Sequence, residues 1–215
     1  SIDFSQQEPR ILVHYAHVFG VSRKVPLKGA KEFVEAYNSD PTTDFHTMVA
    51  EMAQIPRKSA KTINLGMMSG MGKGLMNGVM NHLNERDSSG SVRSLLGRKC
   101  RFDLWEPDRF EMNKAMPFEQ AVQEYGKTTK LKRAYTYKAL NRLIQASAAD
   151  MTKKAMVDIY QSGRVPLIQI HDEVAISVQD KPDAENISRI MENAVPLEVP
   201  NKCDVEVGRS WGTAQ

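Results

Sequence analysis

The stretch from Val165 to Val178 most constrains what this chain can fold into. Two apolar runs rich in β-branched residues, Val165 to Ile170 and Val174 to Val178, are broken by Gln169 and Ser177 and enclose His171-Asp172-Glu173. Such runs read as two strands, and so short a gap between them reads as a hairpin with its acids at the tip. A hairpin commits this part of the chain to antiparallel sheet. Acids are common in such turns because Asp suits turn geometry, but a carboxylate on a tight turn over a rigid sheet is also held in place while facing solvent and any ion there.

The start of the chain, Ser1-Ile2-Asp3-Phe4-Ser5-Gln6-Gln7-Glu8-Pro9-Arg10, sets a second acid at the end of a strand-like run. Pro9 suits an early helical position, since it fixes φ and lacks a donor that the first turn does not need, so strand, short turn and helix to about Phe19 are expected. Two such acids on neighbouring strands are the minimum equipment for phosphoryl transfer by two metal ions.

A third constellation follows Pro56, where Arg57, Lys61, Leu65 and Ser69 recur at helical spacing along one face. Two cations and an apolar side chain in that line fit a triphosphate and the base or sugar attached to it, although a solvated cationic face would look the same. The nearby Gly70-Met71-Gly72-Lys73-Gly74 is not a P-loop. Met67 stands where that loop needs its first glycine, and Gly74 where Ser or Thr should follow the lysine.

The 215 residues suffice for a buried core, and a net charge of +3 with a pI near 8.8 permits nucleic-acid contact without demanding it. Basic clusters are local: Arg98-Lys99 with Arg101, and Lys127, Lys130, Lys132 and Arg133. Cys100 and Cys203 are too few for a disulfide framework and have no metal-ligand spacing. No run reaches membrane-span length and no signal peptide is visible, so a reducing cytoplasm is the expected setting, that of a bacterial host if a phage encodes the chain. The expected order is strand, helix, helical segments from about Lys28 to Leu83, and a linker from Asn84 to Ser91. Leu104 to Glu106 reads as loop. A long helix from Lys132 to Tyr160, the hairpin, a helix from Pro182 to Ala194 and a closing strand Cys203 to Val207 follow. That is an α+β fold, an antiparallel sheet covered by helices.

In this order the three motifs resemble the polymerase core of family A DNA polymerases, the bacterial DNA polymerase I type that many phages also encode. Asp3, Gln6, Glu8 and Arg10 match the family's Asp-Tyr-Ser-Gln-x-Glu-x-Arg palm motif. Arg57, Lys61, Asn64, Gly66 and Gly70 match its fingers-helix motif, and Gln169, His171, Asp172 and Glu173 match its Gln-Val-His-Asp-Glu palm motif. Asp44-Phe45-His46, the segment around Leu96-Gly97-Arg98-Lys99, and Asn141 with Gln145 and Ala148-Ala149-Asp150 resemble further parts of the same core. Leu65 and Ser69 depart from it by replacing aromatic residues, and about 30 residues usual after Lys73 are missing, an estimate from the resemblance and not from loop-length norms.

The resemblance implies an antiparallel palm sheet with an inserted helical fingers subdomain: palm at residues 1–27, fingers at 28–103 and palm again at 104–215. It implies that Asp3 and Asp172 hold two Mg²⁺ ions, that Glu173 supports them, and that Arg57 and Lys61 bind the phosphates, Lys61 also protonating the leaving group. Gln6, Glu8 and Leu65 would lie at the dNTP, Glu8 excluding a 2′-hydroxyl, while Asn141, Gln145, His171 and Arg98 would meet primer–template DNA. The implied activity is DNA-directed DNA synthesis, with the thumb, the first part of the palm and an exonuclease-type domain on preceding sequence or on a separate N-terminal chain. Two alternatives stand beside it: a split or truncated piece that only binds DNA or a partner, and a metal-dependent phosphohydrolase of the type that sets His-Asp on a helix.

Overall fold

A computed structural model describes residues 1–62, 71–84, 89–109 and 113–214. In chain order the elements are β1 (Ile2–Phe4), α1 (Gln7–Arg23), α2 (Ala30–Ser39), α3 (Phe45–Ala53), α4 (Arg57–Thr62), α5 (Met71–Asn84), β2 (Ser91–Arg93), β3 (Lys99–Arg101) and β4 (Leu104–Pro107). There follow β5 (Met116–Pro117), α6 (Phe118–Tyr125), β6 (Leu131–Arg133), α7 (Ala139–Gln161), β7 (Pro166–Ile170), β8 (Glu173–Ile176), α8 (Lys181–Glu192) and β9 (Cys203–Val205).

The main sheet is antiparallel with strand order β7-β8-β1-β9, so the first strand lies inside the sheet between β8 and the closing strand β9 at its edge. Ile2 faces Val174 on one side and Val205 on the other, and Asp3 is flanked by Glu173 and Asp204. Alternation then sorts the side chains of β1: Ile2 and Phe4 are buried while Asp3 between them points out of the core. Behind the sheet, Ile2, Phe4 and Val174 pack with Met151, Ala155 and Ile159 of α7 and Ile187 and Met191 of α8. Asp180 caps α8 by accepting from the Asp183 backbone N–H, with Pro182 in the first turn.

A second apolar cluster joins Leu12, Val13 and Ala16 of α1 to Phe33 and Tyr37 of α2, Phe45 and Val49 of α3, Leu75, Val79 and Leu83 of α5, and Leu140 and Leu143 of α7. The helices α1 and α7 thus border both clusters and tie the helical region to the sheet. Gly74, at the end of the stretch that fails as a P-loop, and Gly78 one turn further on have a packing role here. A Cβ on Gly78 would lie 2.1 Å from the Phe19 ring, and one on Gly74 would lie 2.8 Å from Leu27, so glycine spacing on α5 admits α1 and the chain after it.

The hairpin, the first strand and helix, α8 and the closing strand form where expected, with β9 ending at Val205 instead of Val207. Two expectations fail together. Leu104 to Glu106, expected as loop, belong to β4, the central strand of a small sheet of order β5-β4-β6, and Lys132 and Arg133, expected as the start of the long helix, belong to its third strand β6. Trp105 pairs with Arg133, Glu106 with Lys132 and Pro107 with Leu131, so α7 begins only at Ala139. Cross-strand bonds between segments some 25 residues apart override the helical preference of Lys132 and Arg133. Of the expected linker, residues 85–88 lie outside the described residues, and Ser91 already belongs to β2.

Gly78→Ala gives a test of the α1–α5 packing. In an open helix the change stabilises by up to about 1 kcal/mol. Here the methyl meets Phe19, so a net loss of about 1–3 kcal/mol in urea unfolding is expected.

Candidate active site

The turn that carries Asp172 is as tight as a hairpin allows. Ile170 and Glu173 are paired, so the loop is His171-Asp172 alone, and His171 takes the left-handed conformation at φ 54°. Left-handed backbone is uncommon outside glycine, with His, Asn and Asp the better-tolerated exceptions. The Gln169 side chain donates to the His171 carbonyl at 2.5 Å and braces the turn. The expected three-residue tip is therefore two residues, with Glu173 in the strand.

Asp3 and Asp172 line one cleft of about 500 Å³, together with Glu8 on the first turn of α1, His46 on α3 and Asn141 on α7. Partial burial and the charges of Asp172, Glu173 and Asp204 push the Asp3 carboxyl up to about 6. Glu173 goes the other way: its carboxylate accepts from the Ser1 hydroxyl and from the Trp211 indole N–H at 2.8 Å, and these bonds hold it below the usual range. Neither Glu173 nor Asp204 lines the cleft, although both sit beside Asp3 in register.

No group of three or more His, Cys, Asp or Glu side chains arranged to hold a metal is present among the described residues. Two carboxylates in the cleft nevertheless fit Mg²⁺, which keeps several waters and binds through one or two carboxylates plus substrate phosphates. Burial raises Asp3 most and the neighbouring acids add to it, and a divalent cation would relieve the part that the acids contribute.

The remaining expected residues divide. Gln6 lines the cleft, but its side chain is used by the protein: the amide donates to the Thr43 carbonyl at 3.0 Å, and the oxygen accepts from the Tyr37 hydroxyl at 3.1 Å and the Phe45 N–H at 2.8 Å. Arg57 is not part of the cleft lining. Its Nε donates to Asp44, the N-cap of α3, at 2.5 Å, two residues before His46. Lys61 falls within α4 but its side chain, like Leu65 as a whole, lies outside the described residues. Arg98 pairs with the buried Asp150 of α7 at 2.5 Å, and Ser94 donates to the same carboxylate, so this guanidinium anchors the β2–β3 loop to α7. Asn141 and Gln145 are both exposed, one turn apart on α7. His171-Asp172 sits in a β turn, so the helix required by the phosphohydrolase reading is absent from this pair.

Sequence reasoning missed Asp204 and Trp211. The clean alternation of Cys203 to Val207 marks a half-exposed strand, but its place beside Asp3 is a property of the sheet.

The model of DNA polymerase family A matches residues 73–213. The chain belongs to family A of the DNA polymerases. It is 37% identical over 251 residues to a DNA-directed DNA polymerase of Pseudomonas phage M6, the match covering 99% of this chain and 38% of the relative. A DNA polymerase of Mycobacterium phage L5 is 28% identical over 228 residues, covering 99% and 34%. Among solved structures, the POL domain of Pol1 from M. smegmatis in complex with DNA primer-template and dNTP matches with a TM-score of 0.56 at 26% identity, over 99% of this chain and 40% of that one. The chain therefore spans little more than a third of these phage relatives. The phage M6 alignment is longer than the 215 residues of this chain, so that relative carries residues this one lacks.

The raised Asp3 carboxyl has a consequence for stability. A carboxyl whose folded pKa exceeds its unfolded value binds its proton more tightly when folded, so stability falls as pH rises from 3.8 through about 6. In metal-free buffer, Asp3→Asn is expected to melt above the unsubstituted protein at about pH 7.5 and not above it at about pH 4. Scanning calorimetry at the two pH values checks this.

Proposed function

We propose that this chain is the palm and fingers part of a template-directed DNA polymerase that joins dNTPs to a primer 3′-hydroxyl. The observation that carries the reading is the pairing of β1 between β8 and β9, which brings Asp3 to the Asp172 turn at the mouth of a cleft. Family membership supports it, and the division into palm at 1–27, fingers at 28–103 and palm at 104–215 is part of the proposal.

Asp3 and Asp172 would hold two Mg²⁺ ions, which when bound favour the primer 3′-oxyanion and neutralise the departing pyrophosphate. Glu173, fixed by Ser1 and Trp211, keeps its charge directed to the edge of the site. Arg57 and Lys61 bind the β- and γ-phosphates, Lys61 supplying the proton for the leaving group. For Arg57 this requires release from Asp44, an exchange of one charge-assisted bond for another. Leu65 packs on the nucleotide, while Glu8 lies under its sugar and leaves no room for a 2′-hydroxyl. Asn141 and Gln145 touch the minor groove, with His171 and Arg98 nearby on the duplex. Gln6 acts indirectly, by holding Phe45 and the start of α3 at the cleft. The primer–template is gripped chiefly by sequence outside this span, in cis or as a separate N-terminal chain. Without it the isolated piece binds DNA weakly and in a salt-sensitive way. The proposed setting is the cytoplasm of a bacterial host; among the described residues no helix is long and apolar enough to cross a membrane.

Primer-extension gels with the N-terminal part supplied test the assignment. Asp172→Asn is expected to lower extension by at least about 10³-fold while DNA affinity stays within about twofold, because a metal ligand and not a backbone contact is lost. Retained extension would remove Asp172 from the chemistry. Glu8→Ala is expected to keep dNTP incorporation and to admit ribonucleotides. Unchanged sugar selection would show that Glu8 is placed wrongly.

A further inference from the structure

Glu173 stands directly opposite Asp3 on the neighbouring strand, yet it does not line the cleft. Side chains opposite one another on antiparallel strands project to the same face with Cβ atoms about 5 Å apart, which puts Glu173 within reach of any ion that Asp3 holds. It is held elsewhere. Its Oε1 accepts from the Ser1 hydroxyl and, at 2.8 Å, from the Trp211 indole N–H. Ser1 lies two residues before Asp3, on the same face of the strand, and exchanges both backbone bonds with Glu206 at 2.8 and 2.9 Å. Because β8 runs antiparallel to β1, the direction from Asp3 back to Ser1 leads away from the Asp172 turn. The Ser1 bond therefore draws the carboxylate back along the sheet, and the indole fixes the same oxygen there.

The segment that delivers the indole is a hook after β9. At Gly208 an added Cβ would fall 2.5 Å from the Ala214 nitrogen, so glycine lets the chain fold back on itself. Ser210 and Thr213 then cap each other around the single turn Trp211–Thr213: the Ser210 N–H donates to the Thr213 hydroxyl at 3.0 Å, and the Ser210 hydroxyl accepts from the Thr213 N–H. Trp211 lines a different cavity, of about 510 Å³, and not the cleft, so it reaches the site only through Glu173. The indole is 50% exposed, so the loss of its one bond is a modest cost to the fold.

We propose that Trp211, with Ser1, is a positioning residue that keeps Glu173 out of the metal set, so that Asp3 and Asp172 are the only carboxylates this chain commits to the ions. A third carboxylate would tighten metal binding through its charge. It would also take a coordination position needed by the triphosphate or the primer 3′-oxygen, and cancel charge that should fall on the departing pyrophosphate. The proposal rests on the assignment of Asp3 and Asp172 as metal holders, which is part of the polymerase reading.

The test is Mn²⁺ binding to this 215-residue chain without DNA or dNTP, followed by the electron paramagnetic resonance of the free ion. Trp211→Phe keeps a ring and loses the N–H, and is expected to tighten binding about fivefold, since ligand charge sets affinity and the partners of ligands tune it. In a Glu173→Gln background the same change is expected to move affinity by less than about twofold, which isolates the part that acts through Glu173. Gly208→Ala, which dislodges the hook with Trp211 intact, should also tighten binding, and decides the matter if circular dichroism shows Trp211→Phe to be misfolded. Unchanged or weaker Mn²⁺ binding in folded Trp211→Phe would overturn the proposal, as would equal tightening in the Glu173→Gln background. If Asp172→Asn abolishes Mn²⁺ binding while Trp211→Phe leaves it unchanged, the polymerase reading stands and this proposal alone fails. Mn²⁺ affinity unaltered by Asp172→Asn would remove both.

Discussion

Arg10 is the side chain on which the arrangement of the site depends. It is 1% exposed, and its Nε donates to the Ser5 carbonyl at 2.9 Å, while its two terminal nitrogens each reach 2.6 Å to the carbonyls of Pro200 and Pro41. Its plane lies 4.4 Å from the Tyr37 ring. Burial draws its pKa down, but a guanidinium remains charged, and backbone dipoles aimed at it from three directions replace the lost water. Those three carbonyls belong to the end of β1, the connection of α2 to α3 and the approach to β9. Asp3, His46 and Asp204 sit close to them in sequence, so one buried cation sets the spacing of the strand that carries Asp3, the helical wall and the second flanking acid.

Around this clamp the fold tolerates local costs that lie at the site. Lys24 and Gln54 take left-handed conformations as helix C-caps, a common way to end a helix. Gln6 and His171 do so at the turns that carry Asp3 into α1 and Asp172 into β8, and Tyr135 does so just before α7. The first two are braced: Gln6 by Tyr37, Thr43 and Phe45, and His171 by Gln169. Unfavourable backbone at the cleft is thus offset by hydrogen bonds from the elements around it, as is the repulsion among Asp3, Asp172, Glu173 and Asp204 by the bonds that draw Glu173 aside.

The helical wall is joined to the sheet by polar bonds as well as by packing. Asp44 caps α3, accepts from Arg57 and from the Thr47 hydroxyl, and so links the start of α4 to the residue beside His46. Asp150 does the same for the β2–β3 loop through Ser94 and Arg98, next to Ser147, which bonds Tyr15 of α1. Neither arrangement was legible in sequence: both cations read as ligand contacts there, because a motif records residue type and spacing and not the acid that waits across the fold.

What the sequence determined by itself is the set of features that act over a few residues. The β-branched runs on either side of His171-Asp172, the helix that opens near Pro182, and the strand, turn and helix around Asp3 all follow from period and turn chemistry between near neighbours. Only the tertiary structure decided that the hairpin tip has two residues, that β9 brings Asp204 to Asp3, that Gln6 is a brace, and that Leu104–Pro107 and Leu131–Arg133 are strands. Strand register between segments about 200 residues apart is chosen by burial and hydrogen bonding across the whole sheet, and no local pattern in either segment contains the other's position.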